Sequence, residues 1–85
     1  MFKDADARLA ALETAIRRAP DAAVNYLLRG ELWLELGKLD AAREDLLLAR
    51  DLAAAQAVQR DWGYIDQSYH DRAEHLLATL QSQGT

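Results

Sequence analysis

The chain has 85 residues, about half of a typical domain, so a single folding unit is the ceiling. At 51% hydrophobic and 28% charged it falls outside the weakly hydrophobic, disordered class. It has no cysteine, which excludes disulfide frameworks, thiolate zinc sites and cysteine nucleophiles, and its net charge of −4 argues against nucleic-acid phosphates or anionic membranes as partners.

Ala and Leu number 17 and 15, against seven Val, Ile and Thr together. Ala and Leu head the helix scale and β-branched residues carry strand propensity, so an all-α fold is expected. Residues 1–20 mix Lys3, Arg8, Arg17 and Arg18 with Asp4, Asp6 and Glu13, without the 7–15-residue apolar run of a signal peptide. Unbroken apolar stretches, as at residues 52–55, fall far short of the ~20 that span a bilayer. The expectation is a cytoplasmic chain with no membrane contact.

In chain order, a first helix is predicted over residues 4–19. Ala5, Leu9, Leu12, Ile16 and Ala19 step by three and four, giving one apolar stripe. Asp4 or Asp6 caps its start, and Arg17 and Arg18 suit the negative end of its dipole. Pro20 stops it and Asp21 is the predicted N-cap of the next.

The second helix, residues 22–36, carries a wide stripe of Val24, Leu27, Leu28, Leu32, Trp33, Leu34 and Leu36. Gly37 is predicted to end it in a left-handed C′ conformation, where a Cβ would be penalised. A third helix follows over residues 39–59, with Ala42, Leu46, Ala49, Leu52 and Ala53 at helical spacing and no breaker before Gly63. A fourth is predicted over residues 62–80 from Trp62, Ile65, Tyr69, Ala73, Leu76, Leu77 and Leu80, either capped by Asp61 or starting nearer Asp66 after a short loop at Gly63, with residues 81–85 as a fraying tail. Short turns make the four helices antiparallel neighbours.

From Tyr26 the residues become more specific: Tyr26-x-x-Arg29-Gly30-x-x-Trp33, then Gly37, Leu39, Ala42, Leu46, Ala49 and Leu52. Gly30 and Ala42 are small where two helices must approach closely, while Tyr26 and Trp33 fill the space behind that contact. Ala49 leaves room for a further helix. This pattern resembles the tetratricopeptide repeat, a helix–turn–helix unit of about 34 residues. Residues 23–54 match it well, with Leu39 and Leu46 in places where the family has aromatics. Leu12, Ala15 and Pro20 resemble the second helix of a preceding repeat. Arg29 stands where the family has Leu, and Ala54 where a terminal proline is usual, which implies an extended repeat of roughly forty residues. The resemblance implies a superhelix of stacked helix pairs.

It also implies a non-catalytic protein–protein interaction module, a scaffold that takes a partner segment in a groove lined by the second helix. The groove places fall on Val24, Leu27, Glu31, Leu34 and Glu35. Family members that clamp a chain's terminal carboxylate have Lys, Asn and Arg there. Here the places are acidic or apolar, so the expected partner is a basic, amphipathic protein segment, with Glu31 and Glu35 one turn apart as paired negative charge. The rival reading is structural: exposed helices that build a homodimer or cap a longer array, since about three helix pairs are wanted for a stable solenoid.

Catalytic, cofactor and metal sites are not expected. His70 and His75 point about 140° apart on one helix and cannot share a metal, so surface ion pairing is the expectation for Asp66–His70 and Asp71–His75. No phosphate-cradling Gly-rich loop, His-Glu-x-x-His or glycine-elbow serine is present. Trp62 and Tyr69 are read as closing the exposed end of the core, with Tyr64 half in solvent, and an aromatic partner hot spot formed by the three is the alternative.

Overall fold

A computed structural model describes residues 3–59 and 64–83. Four α-helices make up the fold, and no strand occurs among the described residues: α1 (Lys3–Arg18), α2 (Ala23–Glu35), α3 (Leu39–Gln59) and α4 (Tyr64–Gln83). α3 is central and packs against both α2 and α4, α1 rests on α2 alone, and α2 also touches α4. The result is a slab measuring 42 × 35 × 16 Å.

The termini show why the helices start and stop where they do. α1 carries Asp4 and Asp6 in its first turn and Arg17 and Arg18 in its last, each complementing the dipole. It ends ahead of Pro20, whose ring drives the preceding residue out of α geometry. The N-cap of α2 is Ala22 rather than Asp21, with extended backbone (φ −80°, ψ 105°) and no side-chain cap. The Ala22 N–H donates to the Ala19 carbonyl at 3.1 Å, closing a turn that places the first helical residue at Ala23. Asp21 instead offers its carbonyl to the Gln56 side chain.

At the other end of α2, Gly37 adopts φ +76°. The Lys38 N–H reaches back to the Trp33 carbonyl at 2.9 Å and the Gly37 N–H to Leu34 at 3.1 Å, the paired bonds of a Schellman cap. α3 then runs unbroken over the expected span. The predicted start of α4 at Trp62 lies outside the described residues. Its end is a correction: the helix continues through residues 81–83, because nothing breaks it before Gly84 and the fully buried Leu80 anchors its last turns.

Contacts fix the directions of the helices. Trp33 meets Asp45 while Asp21 meets Gln56, so α2 and α3 are antiparallel. Arg8 meets Glu35 while Tyr26 donates to the Pro20 carbonyl at 2.8 Å, so α1 and α2 are too. α4 lies parallel to α2, with Glu31 beside Arg72 and Val24 sharing a cleft with Ile65 and Tyr69.

The core explains these close approaches. α3 turns Ala42, Ala49, Ala53 and Ala57 inward, all fully buried, with Leu46 between them. Small side chains let flanking helices come near, and Tyr26, Leu27, Ala73 and Leu80 complete the cluster. Across from Gly30 stands Leu46, one turn beyond the Ala42 expected there.

Candidate functional site

α2 is the floor of an open cleft whose walls are α1 and α4. Arg8, Ala11 and Leu12 come from α1, Leu28, Glu31 and Glu35 from α2, and Arg72 from α4, around a volume of about 440 Å³. Leu28, Glu31 and Glu35 are spaced three and four apart, so one face of α2 presents all three. Leu28 is 45% exposed, an apolar side chain set between charged groups.

Each glutamate is bridged to a neighbouring helix. Arg8 donates to both Glu35 carboxylate oxygens at 3.1 and 3.4 Å, and Arg72 donates to Glu31 through Nε at 2.7 Å and through a second nitrogen. The bond to Glu35, and then its charge, hold the Arg8 guanidinium above its ordinary pKa. Glu31 is 21% exposed and held in place, whereas its partner Arg72 is 60% exposed. The acidic rim foreseen in the sequence is therefore a pair of ion-paired clasps, because α1 and α4 each bring an arginine to it.

The other expected groove residues separate. Leu27 is 3% exposed and belongs to the core, so it is closed to a partner. Leu34 is half-buried and packs against the same core. Val24 lies at the opposite end of α2, in a second cleft with Pro20, Gln56, Ile65 and Tyr69. Leu28 takes the floor position instead. Leu27 and Leu28 point about 100° apart on the helix: Leu27 turns into the core beside Tyr26, and Leu28 shares a face with Glu31 and Glu35.

A second polar cluster, at the α2–α3 contact, went unread in the sequence. Asp45 is 3% exposed and accepts three bonds: from Arg29 Nε at 2.7 Å, from a second Arg29 nitrogen at 2.9 Å and from Trp33 Nε1 at 2.9 Å. The Arg29 guanidinium also lies 5.9 Å from the Tyr26 ring centroid. Its pKa is raised, first by the bond to Asp45. A buried carboxylate is tolerated when its lone pairs are filled in this way. The signal was available: Asp45 occupies the inward register of Ala42, Leu46 and Ala49, where a lone charge needs a partner.

On α4, the half-buried His70 stands 3.6 Å from both Asp71 and Glu74, and Asp66, expected at the surface, is buried. Among the described residues, no group of three or more His, Asp or Glu side chains is placed to hold a metal ion, and no helix is long and apolar enough to cross a membrane. Tyr69 is half-buried against the core, as read from the sequence. Trp62 and the side chain of Tyr64 lie outside the described residues. Comparisons of the chain with family models, with curated proteins and with solved structures found no match in any of the three.

Proposed function

We propose that the chain is a non-catalytic protein–protein interaction module of tetratricopeptide type, taking a basic, amphipathic segment of a partner protein in the cleft over α2. The observation that carries this reading is the exposed Leu28 flanked by Glu31 and Glu35 on one helix face. A partner's apolar side chain would cover Leu28 and Leu12. Its Lys or Arg residues would replace Arg8 and Arg72 at the two carboxylates. The exchange costs little because the carboxylates stand on α2, the floor of the cleft, while both arginines reach in from exposed positions, 52% and 60% accessible. Exposed pairs of this kind contribute little to stability.

Two features support the repeat resemblance. Tyr26, Gly30, Trp33 and Leu34 on α2 recur at the same spacing as Tyr69, Ala73, Leu76 and Leu77 on α4. α4 also runs parallel to α2, as the first helices of successive repeats do. The deciding experiment titrates the purified chain, by fluorescence anisotropy, with a labelled helical peptide carrying Leu on one face and Lys on its flanks, and with the same peptide carrying Glu. The Lys peptide binds more tightly, E31K/E35K reverses the preference, and Leu28→Asp abolishes both. Unchanged binding by the Leu28→Asp variant overturns the reading.

A further inference from the structure

The solvent-facing back of α3 is not used by the cleft over α2, yet it carries three of the six exposed large hydrophobic side chains among the described residues: Leu47, Leu48 and Val58. Two neighbouring stripes run along it with identical spacing and opposite charge. In the first, Leu47 is preceded by Arg43 and followed by Arg50; in the second, Leu48 is preceded by Glu44 and followed by Asp51. Successive residues turn by about 100° on a helix, so the stripes lie side by side about that far apart. The basic stripe borders a groove of about 320 Å³ between α3 and α4, whose apolar lining includes Leu47, Leu77 and Ala78. The acidic stripe presents Leu48, 45% exposed, as a projecting side chain.

We infer that the back of α3 is a self-complementary docking face for a second copy of this chain, with Leu48 of each copy seated between Arg43 and Arg50 of the other. A two-fold axis running along α3 sets the two α3 helices parallel and brings each basic stripe against the opposite acidic one, so every contact occurs twice. Arg43 then meets Glu44 of the second copy and Arg50 meets its Asp51. An antiparallel arrangement would instead place like charges together, so the charge pattern selects the parallel dimer. Among the described residues these arginines pair with exposed carboxylates of their own helix, Asp40 at 3.6 Å from Arg43 and Asp51 at 3.1 Å from Arg50, and such surface pairs exchange readily. One helix face buries less than the ~1,200 Å² of a standard interface, so the dimer belongs to the weak class.

The test is sedimentation equilibrium on the full chain, up to about 1 mM to reach weak association of this kind. The wild type gives a dimer. R43E/R50E makes both stripes acidic and E44K/D51K makes both basic, so each variant alone raises the dissociation constant at least ~10-fold. An equimolar mixture of the two restores association as a heterodimer, which a misfolded variant could not do. A wild type that stays monomeric throughout, variants that dimerise like the wild type, or a mixture that fails to associate overturns the inference.

Discussion

A Cβ built on Gly30 falls 2.9 Å from both Cγ and Cδ2 of Leu46, and Leu46 is fully buried. Gly30 is therefore required by the closeness of α2 to α3 and not by its backbone. Gly30→Ala gains about 1 kcal/mol of helix propensity. It also forces Leu46 out of a packed core, at about 1–3 kcal/mol. The net expectation is a loss of about 1 kcal/mol in a urea melt, larger for Gly30→Val. Shortening Leu46 to Ala in the Gly30→Ala background costs less than the two single losses added, which a double-mutant cycle reads directly.

Asp45 presents a second, separable case. Asp45→Ala leaves the Arg29 guanidinium and the Trp33 N–H without their acceptor, and with Arg29 still 22% exposed the loss is about 2–3 kcal/mol. Replacing both charged residues by Leu costs much less, because neither desolvated charge remains. The alkaline dependence follows from Arg29, whose pKa is raised in the folded state. Its contribution is fully present below the unfolded value and is lost only as pH rises through the higher folded one. The stability difference between wild type and Asp45→Ala is therefore flat from about pH 7 to 10, read by melts at each pH.

Leu27 and Leu28 show where sequence reading runs out. Both belong to the apolar stripe of α2, but Leu27 is 3% exposed and Leu28 45%. Leu28→Asp changes stability by about 0.5 kcal/mol or less, whereas Leu27→Asp buries an unpaired carboxylate and costs 3 kcal/mol or more. Thermal melts of the two variants separate these outcomes. The binding loss expected of Leu28→Asp is then free of any folding defect.

The helices were legible because their signals are local: the stripe of α1, Pro20, Gly37 and the long alanine-rich run of α3 each act within a few residues. The floor of the cleft was not, since a wide stripe does not say which of two adjacent leucines turns inward until α3 and α4 are placed. The state of Glu31 and Glu35 was hidden for the same reason. Their charges are matched by Arg72 and Arg8, each on another helix and distant in sequence. Asp21 failed as a cap for a different reason, because the turn over residues 19–22 closes through the backbone and leaves its side chain one position too early.

Gly37 gives the last prediction, and here only the backbone is at stake. Its φ of +76° lies in the left-handed region, while a Cβ placed there meets nothing within 4 Å. Gly37→Ala is thus expected to lose about 1–2 kcal/mol, the cost of holding an L-residue in that conformation, with no steric part. Gly37→Asn loses less, because a short polar side chain tolerates this conformation. Both variants keep the Schellman bonds from Lys38 and Gly37, so the helical circular dichroism stays the same while the urea midpoint moves. A Gly37→Asn variant less stable than Gly37→Ala would show that the space beside this turn is occupied after all.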